Sequence, residues 1–139
     1  MKTLQVIIEK SGNGLYGRIE GHKSYLPVTF GNSKNEVLEN LRELIKDYQK
    51  HEKNGDSFWL KLNTDALQFE IVYDLQAFFS EYDFLNASAI ARHAYMNESL
   101  VRQYVAGKKY PSIEQVKKLE DVIHSLTKEL HDVSLYAEV

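Results

Sequence analysis

The chain has no cysteine among its 139 residues. Thiol catalysis and thiolate metal sites are therefore excluded, and nothing calls for an oxidising compartment. Proline is confined to Pro27 and Pro111, and no Pro/Gly-rich linker divides the chain. No apolar run is long enough to cross a bilayer, so no membrane partner is expected. Met1 to Glu9 is short, lacks a cleavage site and alternates like a strand, which argues against a signal peptide. There is no internal repeat and no low-complexity segment. With 43% hydrophobic residues, the length fits one domain or two small ones, and a soluble cytoplasmic protein is the expectation.

An excess of positive charge is also missing: the net charge is −3. Its distribution is uneven. Between Arg92 and Lys118 stand Arg92, Arg102, Lys108, Lys109, Lys117 and Lys118 against Glu98 and Glu114. Six bases against two acids make a local +4, which leaves −7 on the remainder of a chain of net −3. A basic island on an acidic protein fits localised phosphate contact.

The first half reads as strands around one helix. Leu4 to Glu9 alternates, Ser11-Gly12-Asn13-Gly14 is a hairpin turn, and Leu15 to Ile19 returns. Leu26 to Phe30 is a third strand, with Pro27 marking an edge or strand start. Ser33 and Glu36 have capping-box spacing ahead of Val37, Leu38, Leu41, Leu44, Ile45 and Tyr48, so a helix is expected from about Lys34 to about Lys50. A polar loop follows, then a short strand over Phe58 to Leu62 and a strand over Leu67 to Tyr73. The order β-β-β-α-β gives one helix covering one face of a mainly antiparallel sheet, leaving the other face to solvent or a partner.

Helical spacing takes over at Asp74. Helices are expected over Leu75 to Tyr82, over Ala87 to Ala94 with Asn86 or Ser88 near its start, and from Asn97 as N-cap to near Ala106. A longer helix opens at Ser112, with Gln115 in capping-box position. Val116, Leu119, Ile123, Leu126, Leu130 and Val133 form a heptad-like seam along it, which packs on its own domain or crosses a two-fold axis.

The stretch from Ser88 to Ser112 is the most informative. At about 100° per residue, Leu100, Val101, Tyr104 and Val105 share one side of the second helix. Ser99, Arg102, Gln103 and Ala106 share the other. Short polar side chains and one arginine on an open face suit the edges of DNA bases. Gly107 can end the helix in a left-handed conformation, and Lys108 and Lys109 follow as candidate phosphate contacts. Arg92 is a further candidate phosphate contact.

Ala91, Met96, Asn97, Val101, Tyr104, Gly107, the two lysines and Pro111-Ser112 together resemble the XRE-type, phage-repressor-like helix-turn-helix family. The resemblance implies that Asn97, Ser99, Arg102 and Gln103 read bases and that Ser88 grips phosphate. The segments GNGLYGRI and GNSKNEVLENLREL resemble the HicB antitoxin domain, a partial RNase H fold; Gly31-Asn32 stands where that family commonly has Pro-Gly-Cys. HicB-like antitoxins often carry such a C-terminal helix-turn-helix. The combination implies an α+β chain with a toxin-binding domain over 1–73 and a DNA-binding domain over 74–139. It implies masking of a small HicA-type RNA-cleaving toxin, and repression of the chain's own operon as a homodimer or higher oligomer on operator DNA. The alternative is a solitary XRE-type regulator whose first domain senses a small ligand.

No enzyme activity, cofactor or metal is expected. Glu9, Glu20 and Glu70 are the strand acids on which a nuclease reading would depend, and they do not form a convergent set. The histidines are His22, His51, His93, His124 and His131; His124 and His131 with Glu120 fall short of a zinc site. Tyr16, Tyr25, Phe58 and Trp59 are read as half-buried sheet residues, with an RNA-stacking platform or, for some of them, a protein interface as the alternatives.

Overall fold

The computed structural model describes residues 2–20 and 25–138; His22 lies outside them. The chain is α+β and forms two compact units, Met1–Glu81 and Tyr82–Val139. No helix among the described residues is long and apolar enough to cross a membrane.

The first unit is a four-stranded mixed sheet of order β3-β2-β1-β4. Strands β1 (Thr3–Ser11) and β2 (Gly14–Arg18) form the expected hairpin, with Ser11 opposite Gly14. Gly12, the first central residue of the turn, has φ +56°, the pattern of a type II′ turn. Strand β3 (Val28–Gly31) pairs antiparallel to β2, and β4 (Gln68–Tyr73) runs parallel to β1.

Helix α1 (Lys34–His51) starts where the sequence places it. Ser33 Oγ accepts from the Glu36 N–H, while the Glu36 carboxylate reaches back to Asn32 N–H rather than to the cap's own. Val37, Leu41 and Ile45 are buried among Leu4, Val6, Ile8 and Leu15. The polar residues of α1 hold the chain that leads into β4. Gln49 Nε2 donates to the carbonyls of Trp59 and Leu62 at 2.8 Å each, and Arg42 donates to those of Thr64 and Leu67 while its guanidinium lies over the Phe69 ring.

The segment expected as a strand over Phe58 to Leu62 is instead helix α2 (Ser57–Leu60). Asp56 caps it, accepting from Phe58 N–H at 2.9 Å. A helical turn brings Phe58, Trp59 and Leu62 to one side, where Trp59 is fully buried. Five residues are too few for periodicity to separate a strand from a turn of helix. The aromatic platform is absent too: Tyr25, Phe58 and Trp59 pack in or against the core, and Tyr16 lies on the opposite face of the sheet. Helix α3 (Leu75–Glu81) belongs to this unit, its Ala77 buried in the same core, so the boundary falls after Glu81 rather than after Tyr73.

The second unit holds α4 (Ala87–His93), α5 (Glu98–Val105) and α6 (Ile113–His131). Asn86 caps α4, Asn97 caps α5, and Ser112 with Gln115 forms the full capping box of α6. Ile90, Ala91, Val101, Tyr104 and Leu119 are its buried side chains. Only Leu119 of the heptad-like seam is buried; Leu130 is exposed, and Val133 lies beyond the helix end.

Gly17 faces α1, and a Cβ built there overlaps Val37 Cγ1. We expect Gly17→Ala to cost about 1–3 kcal/mol, read as a lower urea midpoint at unchanged slope. Burial raises the Tyr25 phenol above its usual 10.0, and Asp47 and Tyr48 add to the shift. The folded state thus favours the neutral ring. Its contribution is full below pH 10 and is lost as the pH rises through the higher folded value. Alkaline destabilisation is expected to shrink in Tyr25→Phe, measured by urea unfolding across that range.

Candidate nucleic-acid interface

The chemistry of this site follows from how α4 and α5 are joined. Helix α4 ends at Ala94 in a Schellman turn: Tyr95 N–H bonds to Arg92 C=O at 3.1 Å and Met96 N–H to Ala91 C=O at 2.9 Å. Asn97 Oδ1 then accepts from Leu100 N–H at 2.9 Å and starts α5. Helix α5 ends the same way, with Gly107 N–H on Tyr104 C=O and Lys108 N–H on Gln103 C=O. Gly107 supplies the left-handed residue this turn needs, at φ +77°.

Val101 and Tyr104 point inward, and Tyr104 Oη lies 2.6 Å from Gln115 Oε1 on α6. One donor–acceptor pair thus ties α5 to the capping box of α6. The opposite side of α5 is open. Ser99 and Arg102 are exposed and Gln103 is half-buried, so the polar face expected from the sequence is free. Lys108 and Lys109 are exposed just past the helix end, and neither has an ion-pair partner among the described residues.

Neighbours bear on what four of the expected contacts can do. Arg102 Nη1 donates to Ser88 Oγ at 3.1 Å, which aims the guanidinium and still leaves the serine hydroxyl a proton to give. Asn97 spends its side-chain oxygen on the cap, so only its amide nitrogen faces outward, as a donor. Arg92 is paired with Glu98 at 2.8 Å. An exposed pair of this kind holds weakly, and a phosphate can replace the carboxylate. His93 lines a shallow groove with Asp121, Val122, Ser125, Leu126 and Glu129, beside acids rather than the lysines.

One exposed residue beside this face was not anticipated. Tyr95 occupies the left-handed position of the first turn, at φ +56°. The sequence signal is an absence: no glycine stands there, where Gly107 closes the second turn.

The sheet carries a second surface. Its face away from α1 presents Ile7, Tyr16, Val28, Phe30 and Val72, with Gln5, Glu9, Arg18 and Glu70 around them. Tyr16 and Phe30 meet edge to face at 5.3 Å and are 46% and 45% exposed. Glu9 and Glu20 both bind the Arg18 guanidinium, and Glu70 lies across β1 on β4, opposite Gln5. Among the described residues no three His, Asp or Glu side chains gather as a metal site, and His131 meets only Asp132.

Comparison with protein-family models, with curated proteins and with solved structures gives no match.

We expect Gly107→Ala to cost about 1–2 kcal/mol, because a Cβ in the left-handed region meets the backbone carbonyl. Thermal unfolding of the full chain measures it, and Gly12→Ala, in the β1–β2 turn, serves as a comparison outside the second unit.

Proposed function

We propose that this chain is a non-enzymatic antitoxin–repressor, binding operator DNA through its second unit and a small RNA-cleaving toxin of HicA type through its first. The observation that carries the DNA half is the open polar face of α5 beside unpaired lysines. Arg102 reads guanine and Gln103 reads adenine in the major groove, Ser99 adds a small polar contact, and the Asn97 amide donates at the helix start. Lys108, Lys109, Arg92 and Ser88 hold phosphates. Helix α4 packs across α5 as the first helix of an XRE-type helix-turn-helix does, and the chain acts as a homodimer. The exposed end of the α6 seam, Leu130, favours a second copy. Half-sites then lie about 34 Å apart, one turn of B-DNA.

The toxin half is supported by the open sheet face. An antitoxin needs a broad accessible surface, whereas a ligand sensor needs an enclosed pocket. Exposed Tyr16, Val28 and Phe30 offer aromatic and branched anchors of the kind protein interfaces use. Nearby Glu9, Glu20 and Glu70 outnumber Arg18, which suits a basic partner.

Three phosphate contacts from Arg92, Lys108 and Lys109 give a log–log salt slope of roughly −3 per subunit. We expect Lys108→Ala with Lys109→Ala to weaken binding to all duplexes alike and to flatten that slope. Gln103→Ala is expected to relax preference at one base pair by about 1–3 kcal/mol, read by selection from a randomised duplex pool. Equal loss on every sequence for Gln103→Ala contradicts its role. For the first unit, co-expression with the short reading frame beside the gene is expected to yield a stoichiometric small basic protein on purification. Tyr16→Asp with Phe30→Asp is expected to abolish that capture and leave DNA binding intact. A monodisperse chain without a partner supports the ligand-sensing regulator instead.

A further inference from the structure

Tyr95 is the one non-glycine residue among those described with a positive φ, and its side chain is 97% exposed. A bulky residue in the left-handed region is strained, because its Cβ crowds the backbone. Such strain is held in place by the surrounding structure, and it clusters at ligand clamps and other functional sites. Among the described residues the Tyr95 side chain makes no hydrogen bond and no ring contact. The turn itself needs only the backbone, whose Schellman bonds run from Tyr95 to Arg92 and from Met96 to Ala91. The same motif at the end of α5 is built with Gly107. The chain thus closes two equivalent turns, one with the unstrained residue and one with an exposed phenol.

The location narrows the role. Tyr95 stands two residues ahead of the Asn97 cap, at the N-terminal end of α5. An eight-residue helix is about 12 Å long. The major groove is about 12 Å wide. For a helix lying across the groove, a side chain just outside its end stands at a sugar–phosphate wall. At the other end Lys108 and Lys109 take the corresponding place. A tyrosine hydroxyl is a neutral donor that phosphates commonly accept.

We propose that Tyr95 is a DNA-backbone contact, its hydroxyl donating to a phosphate at the rim of the groove that α5 enters. This rests on the DNA-binding reading above and adds to it a residue whose role opposes its own conformational preference. Stability and affinity then respond to one substitution with opposite signs, which a purely structural residue does not do.

The test uses the full chain as wild type, Tyr95→Gly, Tyr95→Phe and Arg102→Ala, with a labelled duplex of mixed sequence at low salt and thermal unfolding of the same samples. Tyr95→Gly is expected to unfold at a higher temperature than wild type and to bind about fivefold more weakly, the equivalent of one hydrogen bond. Tyr95→Phe is expected to lose the same factor with its unfolding temperature unchanged. If both variants bind as wild type does while Arg102→Ala is weakened, Tyr95 is not a contact and the DNA-binding reading stands. A lower unfolding temperature in Tyr95→Gly also overturns the proposal, since the residue would then be structural. Failure of wild type itself to bind, with Arg102→Ala no different, overturns the DNA-binding reading and the Tyr95 contact with it.

Discussion

Burial of Val101 and Tyr104 on one side of α5 is the constraint from which the second unit's surface follows. Each buried side chain contributes about 1.5–3 kcal/mol. Turning the helix half-way round would expose both and bury Arg102, a charge with no buried carboxylate to receive it. The hydroxyl of Tyr104 adds direction to this burial, because its partner Gln115 is itself fixed by the capping box of α6. The orientation of Ser99, Arg102 and Gln103 is thus decided by the apolar residues between them. Schellman turns at both ends then set where Tyr95 and the lysine pair project.

The first unit works by the same logic in two dimensions. Alternation along β1 sends Leu4, Val6 and Ile8 to α1 and leaves Gln5, Ile7 and Glu9 on the far side. Because Ile7 is opposite Arg18, and Tyr16 opposite both Glu9 and Phe30, the register collects apolar and acidic groups on one open face. A helix over one side of a sheet makes the core, and the uncovered side becomes the surface available for recognition. The two proposed binding surfaces belong to separate units, so the proposal assigns toxin and DNA to different residues.

Much of this is legible in the sequence where several local signals agree. Helix α1 has a cap, an acidic N3 residue and a long apolar stripe; α5 has Asn97, a split face and Gly107. The short segment at Phe58, expected as a strand, is too brief for periodicity to decide, and burial of Trp59 with the Asp56 cap makes it helix. The sequence pattern puts a boundary after Tyr73 because α3 looks like the other helices, whereas its Ala77 packs into the sheet core and the first compact unit runs to Glu81. Tyr95 could be flagged only by asking which residue the turn prefers and noticing that it is missing. For the open sheet face, no single strand reveals which exposed residues become neighbours; the pairing register does.

Backbone amide chemical shifts of the full chain, followed as a short duplex of mixed sequence is added at low salt, probe the outward face of α5 most directly. The expected result is perturbation concentrated on Ser88 and from Tyr95 to Lys109, with the sheet unmoved. Perturbation centred on β1 to β4, or none at any residue of α5, would contradict it.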